Sequence, residues 1–234
     1  GPFSHEGRFF HHRQINIWPR PYQQPHPPVW VSTTTPAGAQ RVGAKGFVQA
    51  TFLTGYDGTR RVYDSYRQGW REAGRGEDVP IDRLAYAALV YVGDNEADAR
   101  AGAEKILWYI RANKVPPQFS FPPGYAPAAA FAKIMRGDVG DQHRNFSAQA
   151  TVEGTINAGL MMAGTPDQVY AQIRKMYDHV GGFGHQLIMG QAGHLEHDET
   201  VRSIRNFARH VYPRLKAEMP DATVSGFASA AAAE

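Results

Sequence analysis

Trp18 to Gly46, WPRPYQQPHPPVWVSTTTPAGAQRVGAKG, carries in order a proline-rich approach, a short apolar run, a row of hydroxyls and a helix start. Pro19, Pro21, Pro25, Pro27 and Pro28 predict an extended approach, because proline fixes its own φ and drives the preceding residue out of the helical region. Val29, Trp30 and Val31 are β-prone residues of the kind found in strands covered on both faces. Ser32, Thr33, Thr34 and Thr35 then offer hydroxyls and backbone N–H groups, and Pro36 suits the first helical position, where a missing N–H costs nothing. Free N–H groups at a helix start, aligned with the positive end of its dipole, favour an anion such as a cofactor phosphate. A plain cap by Thr35 uses the same residues, and the local sequence leaves both readings open.

Strand and helix signals alternate along the rest of the chain, the pattern of an α/β protein with parallel strands. Phe47 to Phe52 reads as a second strand, followed by a loop from Leu53 to Gly58. Val62, Tyr66 and Trp70 fall four apart on one helix face, and Gly74 and Gly76 end that helix. Leu84 to Val92 is the clearest strand; Asp94 is placed to cap the next helix, whose buried stripe is Ala99, Ala103, Ile106 and Ile110. Thr165, Pro166 and Gln168 form a capping box with proline at the first helical position. Gly181, Gly182 and Gly184 read as a turn into a strand from Gln186 to Met189, since a dinucleotide fingerprint would follow a strand. A last helix from about Glu199 packs through Val201, Ile204, Ala208, Val211 and Leu215.

Lys114 to Asn145 breaks this rhythm with five prolines (Pro116, Pro117, Pro122, Pro123 and Pro127) and four aromatics (Phe119, Phe121, Tyr125 and Phe131), and is expected to fold back as a lid. The expected organisation is one domain over residues 1–219 with this insertion at 114–145, and a low-complexity tail at 220–234.

Composition excludes several function classes. With 234 residues, 42% hydrophobic and 20% charged, the chain can bury a core. The net charge of +3 is small, and no basic run is interleaved with aromatics as a nucleic-acid platform requires. Zero cysteines rule out disulfides and thiolate metal sites. No apolar stretch approaches the roughly 18 residues of a membrane span, so no membrane partner and a cytoplasmic location are expected. His194, Glu196, His197 and Asp198 do not match a zinc spacing and read as a solvated turn and helix cap. His11 and His12 read as surface residues of a hairpin, and His185 as a core or loop histidine.

PFSHEGRFF (Pro2 to Phe10), INIWPRP (Ile15 to Pro21), the hydroxyl turn, and GTPDQV, GGFGHQLIMG and HVYPRL further on together resemble the luciferase-like, flavin-dependent monooxygenase family. The resemblance implies a TIM (β/α)8 barrel that binds reduced FMN, or a deazaflavin in some branches, at the C-terminal ends of its strands. It covers the second half of the family's pattern only. It carries phosphate binding onto Thr34 and Thr35, with Thr33 beside them, and onto Gly38, where the family often has a second Ser or Thr. It also implies dioxygen and a small organic molecule as substrates, and a flavin reductase as partner. Phe52, Phe119, Phe121 and Tyr125 are the candidates for pocket wall and lid. No catalytic acid or base is assigned, because the resemblance places most such residues in the other half of the barrel.

Such a barrel takes eight strands and about 250 residues, whereas about four strand–helix units can be counted here. The chain, which opens at Gly1 without a methionine, is therefore expected to be half a barrel. Two unpaired sheet edges and an uncovered inner face would make it a homo-oligomer, or a module completed by its other half. Three functions follow: an FMN-dependent monooxygenase, a deazaflavin-dependent hydride-transfer enzyme, and a non-catalytic flavin-binding or assembly module.

Overall fold

The computed structural model describes residues 2–112 and 150–218 together with positions 129 and 132. Phe119, Phe121 and Tyr125 of the expected lid, and the expected tail at 220–234, lie outside the described residues.

The chain divides into two units at Val29 and Trp30. In the first, β1 (Phe3–Glu6) and β2 (His11–Ile15) form an antiparallel hairpin, closed by the Gly7 N–H donating to Phe10 O at 2.8 Å. Glu6 accepts from Arg13 (2.9 Å) and meets His11 Nδ1 (2.7 Å), so His11 sits in an exposed polar cluster. These partners hold the Glu6 carboxyl below its usual range, Arg13 contributing most. The proline-rich approach is bent, not extended: it carries bends at Trp18–Pro19 and from Tyr22 to Pro25, with cis peptide bonds at Trp18–Pro19 and Gln24–Pro25.

The second unit is a parallel sheet with helices. β3 (Trp30–Ser32), α1 (Pro36–Lys45), β4 (Val48–Phe52), α2 (Gly55–Glu72), β5 (Leu84–Val92) and α3 (Glu96–Ala112) follow in turn. After them come α4 (Val152–Asn157), β6 (Met161–Gly164), α5 (Pro166–Val180), β7 (His185–Met189), α6 (His197–Asn206) and α7 (Tyr212–Glu218). β5 is the hub. Ala85, Tyr86 and Ala87 pair with β4 and also with β7, so these two strands occupy opposite edges of β5, while Leu89 to Val92 pair with β6. All of these pairings, and that of β3 with β4, are parallel.

A strand alternates its side chains between two faces, and β5 is buried on both. Leu84, Tyr86, Ala88, Val90 and Val92 enter one core with Ala39 and Val42 of α1, the aromatic stripe of α2, and Val169, Ile173 and Met176 of α5. Leu89 and Tyr91 enter a second core with Ala103, Ile106, Leu107 and Ile110 of α3. The α1–α2 crossing depends on two glycines: a Cβ on Gly43 would lie 2.2 Å from Tyr66 O, and one on Gly69 would lie 2.0 Å from Gln40 O.

Several sequence expectations are corrected here. Val29 to Val31 is not covered on both faces: β3 begins at Trp30, which is 42% exposed because β3 is the edge of the described sheet. The loop after β4 shrinks to Leu53 and Thr54, since α2 already starts at Gly55. Asn95, not Asp94, caps α3: its Oδ1 accepts from the Asp98 N–H at 3.0 Å, while Asp94 accepts from Asn206 at 2.7 Å. The last helix starts at His197 under a Glu196–Glu199 capping box. Its buried residues are Thr200, Ser203, Val211 and Leu215, whereas Ile204 is 52% exposed. A π-helical segment at Phe207–Val211 shifts the phase, and polar contacts from Ser203 and Asn206 to the end of β5 set the face that turns inward.

Candidate flavin-phosphate site

Parallel pairing brings the C-terminal ends of β3, β4, β5 and β7 to one end of the sheet, where α/β proteins bind ligands. The sheet also curls. Strand neighbours lie about 4.8 Å apart, so β3 and β7, three places apart in the order β3–β4–β5–β7, could not meet across a flat sheet. Yet the rings of Trp30 and His185, at the starts of these strands, are 4.8 Å apart. The inner face is therefore a trough. His185 is fixed there by its Nε2 contact with Asp82 O at 3.0 Å.

The hydroxyl turn stands at the C-terminal end of β3. The Thr33 N–H extends the β3–β4 ladder by donating to Ala50 O at 3.2 Å, after which the chain leaves the sheet. Thr35 is the N-cap of α1, its Oγ1 accepting from the Gly38 N–H at 3.2 Å, and Pro36 opens the helix. The Thr33 and Thr35 hydroxyl oxygens are 3.3 Å apart, and the Thr35 N–H donates to Thr33 Oγ1 at 3.3 Å. Two hydroxyls that share one hydrogen bond keep one O–H to donate elsewhere. Thr34 is exposed between them.

Gly38 explains itself at this turn. A Cβ there would lie 2.5 Å from Thr33 Oγ1 and 2.8 Å from Thr35 Oγ1, so the two hydroxyls fill the space a serine or threonine at this position would need. The first turn of α1 contains no acidic residue. A hydroxyl, backbone amides and an uncompensated helix N-terminus form a donor set that fits a phosphate.

Phe52 ends β4 on the same face as Ala50 and Ala87, and its ring lies 6.3 Å from that of Tyr109 on α3. Leu53 follows at φ 53°, which turns the chain sharply towards α2. At the end of β5, burial pushes the Tyr91 phenol up, partly offset by Arg202, which donates to its oxygen at 3.3 Å. On the loop after β7, Glu196 caps α6 and His194 packs on Trp108 with ring centroids 4.6 Å apart. Among the described residues, no group of three or more His, Asp and Glu could hold a metal ion. No described helix is long and apolar enough to cross a membrane.

The structure thus brings Thr33, Thr34, Thr35 and Gly38 together at one turn and places Phe52 on the trough face of the adjacent strand. Two residues were missed from sequence. Tyr109 is one. The other is Gln49, a fully buried amide beneath the turn, whose signal was a lone amide inside the apolar run FVQATF.

Residues 1–182 match the family described as luciferase-like monooxygenase, and the chain belongs to that family. The oxygenase component of the flavin-dependent trigonelline monooxygenase of Acinetobacter baylyi is 26% identical over 108 residues, 45% of this chain and 29% of that protein. Among solved structures, the oxygenating constituent of 3,6-diketocamphane monooxygenase from Pseudomonas putida, in complex with FMN, superposes with TM-score 0.62 at 17% identity, covering 92% of this chain and 58% of that one. Monooxygenase RslO1 of Streptomyces bottropensis gives 0.61 at 20% identity over 91% and 56%. The coenzyme F420-dependent tetrahydromethanopterin reductase of Methanopyrus kandleri gives 0.61 at 18% identity over 92% and 58%. The fold is that of the luciferase-like TIM barrel, of which this chain spans just over half the length of its structural relatives.

Proposed function

We propose that this chain forms the phosphate-holding half of a flavin-dependent monooxygenase that uses reduced FMN and dioxygen to oxygenate a small organic substrate. The observation that carries the reading is the turn from Thr33 to Gly38, where two hydroxyls crowd a glycine at a helix N-terminus free of acidic residues. Thr33 and Thr35 would hold the phosphate, and Phe52 with Tyr109 would wall the pocket and keep water out. Reduced flavin, when bound, supplies the electrons for the reaction with dioxygen. A separate flavin reductase is the natural source of that reduced flavin, by analogy with a relative described as an oxygenase component. The reaction needs no membrane or nucleic acid, and a cytoplasmic location suits a reduced cofactor. The uncovered trough further suggests a homo-oligomer.

A deazaflavin-dependent hydride transfer is the second reading, since an F420-dependent reductase superposes as well as the monooxygenases do. Substrate-dependent oxygen uptake with reduced FMN supports the first reading; hydride exchange with F420 and no oxygen uptake would replace it with the second. In the monooxygenase, Thr35→Ala should weaken FMN binding by about 1 to 2 kcal/mol, the scale of a hydrogen bond to a charged group. An unchanged affinity in flavin-fluorescence titration would leave Thr35 as a helix cap alone.

A further inference from the structure

Gln49 lies on β4 with no exposed surface, on the same sheet face as Leu84 and Tyr86 and hence under the helices. Its Nε2 donates to two backbone carbonyls, Thr33 O and Ala50 O, each at 2.8 Å. Both partners are acceptors, so the amide cannot be turned over without setting its own oxygen against them. Its Oε1 is buried with no hydrogen-bond partner among the described residues. A buried acceptor left unpaired costs stability, so an apolar side chain of the same shape would suit the core better.

What the amide does is fix one peptide. Thr33 is the last residue to pair with β4, and beyond it no ladder orients the carbonyl of Thr33. The peptide between Thr33 and Thr34 is trans, and in a trans peptide the C=O and the following N–H point in opposite directions. With the Thr33 carbonyl drawn towards buried Gln49, the Thr34 N–H is turned away from the core. We infer that Gln49 is a positioning residue that aims the Thr34 N–H into the phosphate site, adding a backbone donor to the hydroxyls of Thr33 and Thr35.

This inference rests on the phosphate reading above, and riboflavin, which lacks the phosphate, separates the two. In the full chain, the ratio of FMN to riboflavin affinity measures phosphate recognition itself. Gln49→Met keeps the volume, removes both donors and abolishes the orphaned acceptor. The expected result is a fivefold to thirtyfold loss of FMN affinity, on the order of one charged hydrogen bond, with riboflavin affinity little changed. Thermal stability should move little, because losing the orphaned Oε1 offsets the donor lost to the Thr33 carbonyl while Ala50 O keeps the Thr33 N–H. If the wild type prefers FMN and Gln49→Met keeps that preference, the inference falls and the phosphate reading stands. Equal affinity of the wild type for both flavins would remove the phosphate reading and this inference with it. A second measurement needs no variant: in 15N-labelled wild type, the Thr34 amide resonance should move downfield with FMN and stay in place with riboflavin. A Thr34 amide that ignores FMN overturns the assignment even if Gln49→Met does not fold.

Discussion

The two faces of the parallel sheet differ in how far they are closed. Under the helices, Tyr63, Tyr66, Tyr86, Val90, Ile173 and Met176 are all at most 1% exposed, and the α1–α2 crossing is tight enough to demand glycine twice. Across the sheet, β5 is covered by α3, but the edges are open: Trp30 is 42% and Leu187 39% exposed. The difference teaches where the stability of the fold resides. The helix-covered face carries a packed core, while the trough leaves apolar surface exposed.

The largest effect should come from truncation on the closed face. Ile173→Ala should cost about 2 to 5 kcal/mol in denaturant unfolding, the usual scale for a core cavity. Should Leu187→Ala cost as much, the contrast between the faces would be wrong.

Overpacking tests the same face from the other side. Gly69→Ala places a methyl against the Gln40 carbonyl and should cost about 1 to 3 kcal/mol; a neutral effect would mean that α1 and α2 do not cross so closely.

Alkali should open the closed face next. Burial raises the phenols of Tyr63, Tyr66 and Tyr86 above the ordinary value of 10.0. A raised folded value means that the stabilisation is complete below pH 10.0, where the unfolded chain is neutral too, and is lost as pH climbs from there through the folded values. Phenolate absorbance and loss of helix should therefore rise together above that pH. Full ionisation of all tyrosines with the helical signal intact would contradict it.

The smallest change in stability should come from the trough. Leu187→Ser should cost under about 1 kcal/mol, yet shift sedimentation, because residues 1–234 alone are expected to be dimeric or aggregated through the open inner face and edges. A stable monomer with micromolar FMN affinity would show that the trough needs no cover.

How much of this was legible depended on whether the signal was local. Leu84 to Val92 matched its strand residue for residue, because a nine-residue apolar run is what a strand buried on both faces looks like. The caps at Thr35 and Thr165 were equally readable, since hydroxyl and proline positions are fixed by the helix start itself. β6 was not. Met161 to Gly164 has no β-branched residue, and it is a strand because the last four residues of β5 offer a free ladder. Gln49 was passed over for the same kind of reason: one amide in an apolar run says that something is held, and only the fold says that it is the Thr33 carbonyl.

The π-helical segment at Phe207–Val211 has a consequence for comparing this chain with others. One extra residue in a turn advances every later side chain by about 100° round the helix axis. A relative with an uninterrupted helix would align with Val211 and Leu215 only after a single-residue gap is opened inside the helix, where gaps are ordinarily forbidden. An alignment that refuses the gap would assign the buried face of α7 to its solvent side and mistake the two inward residues for surface variation.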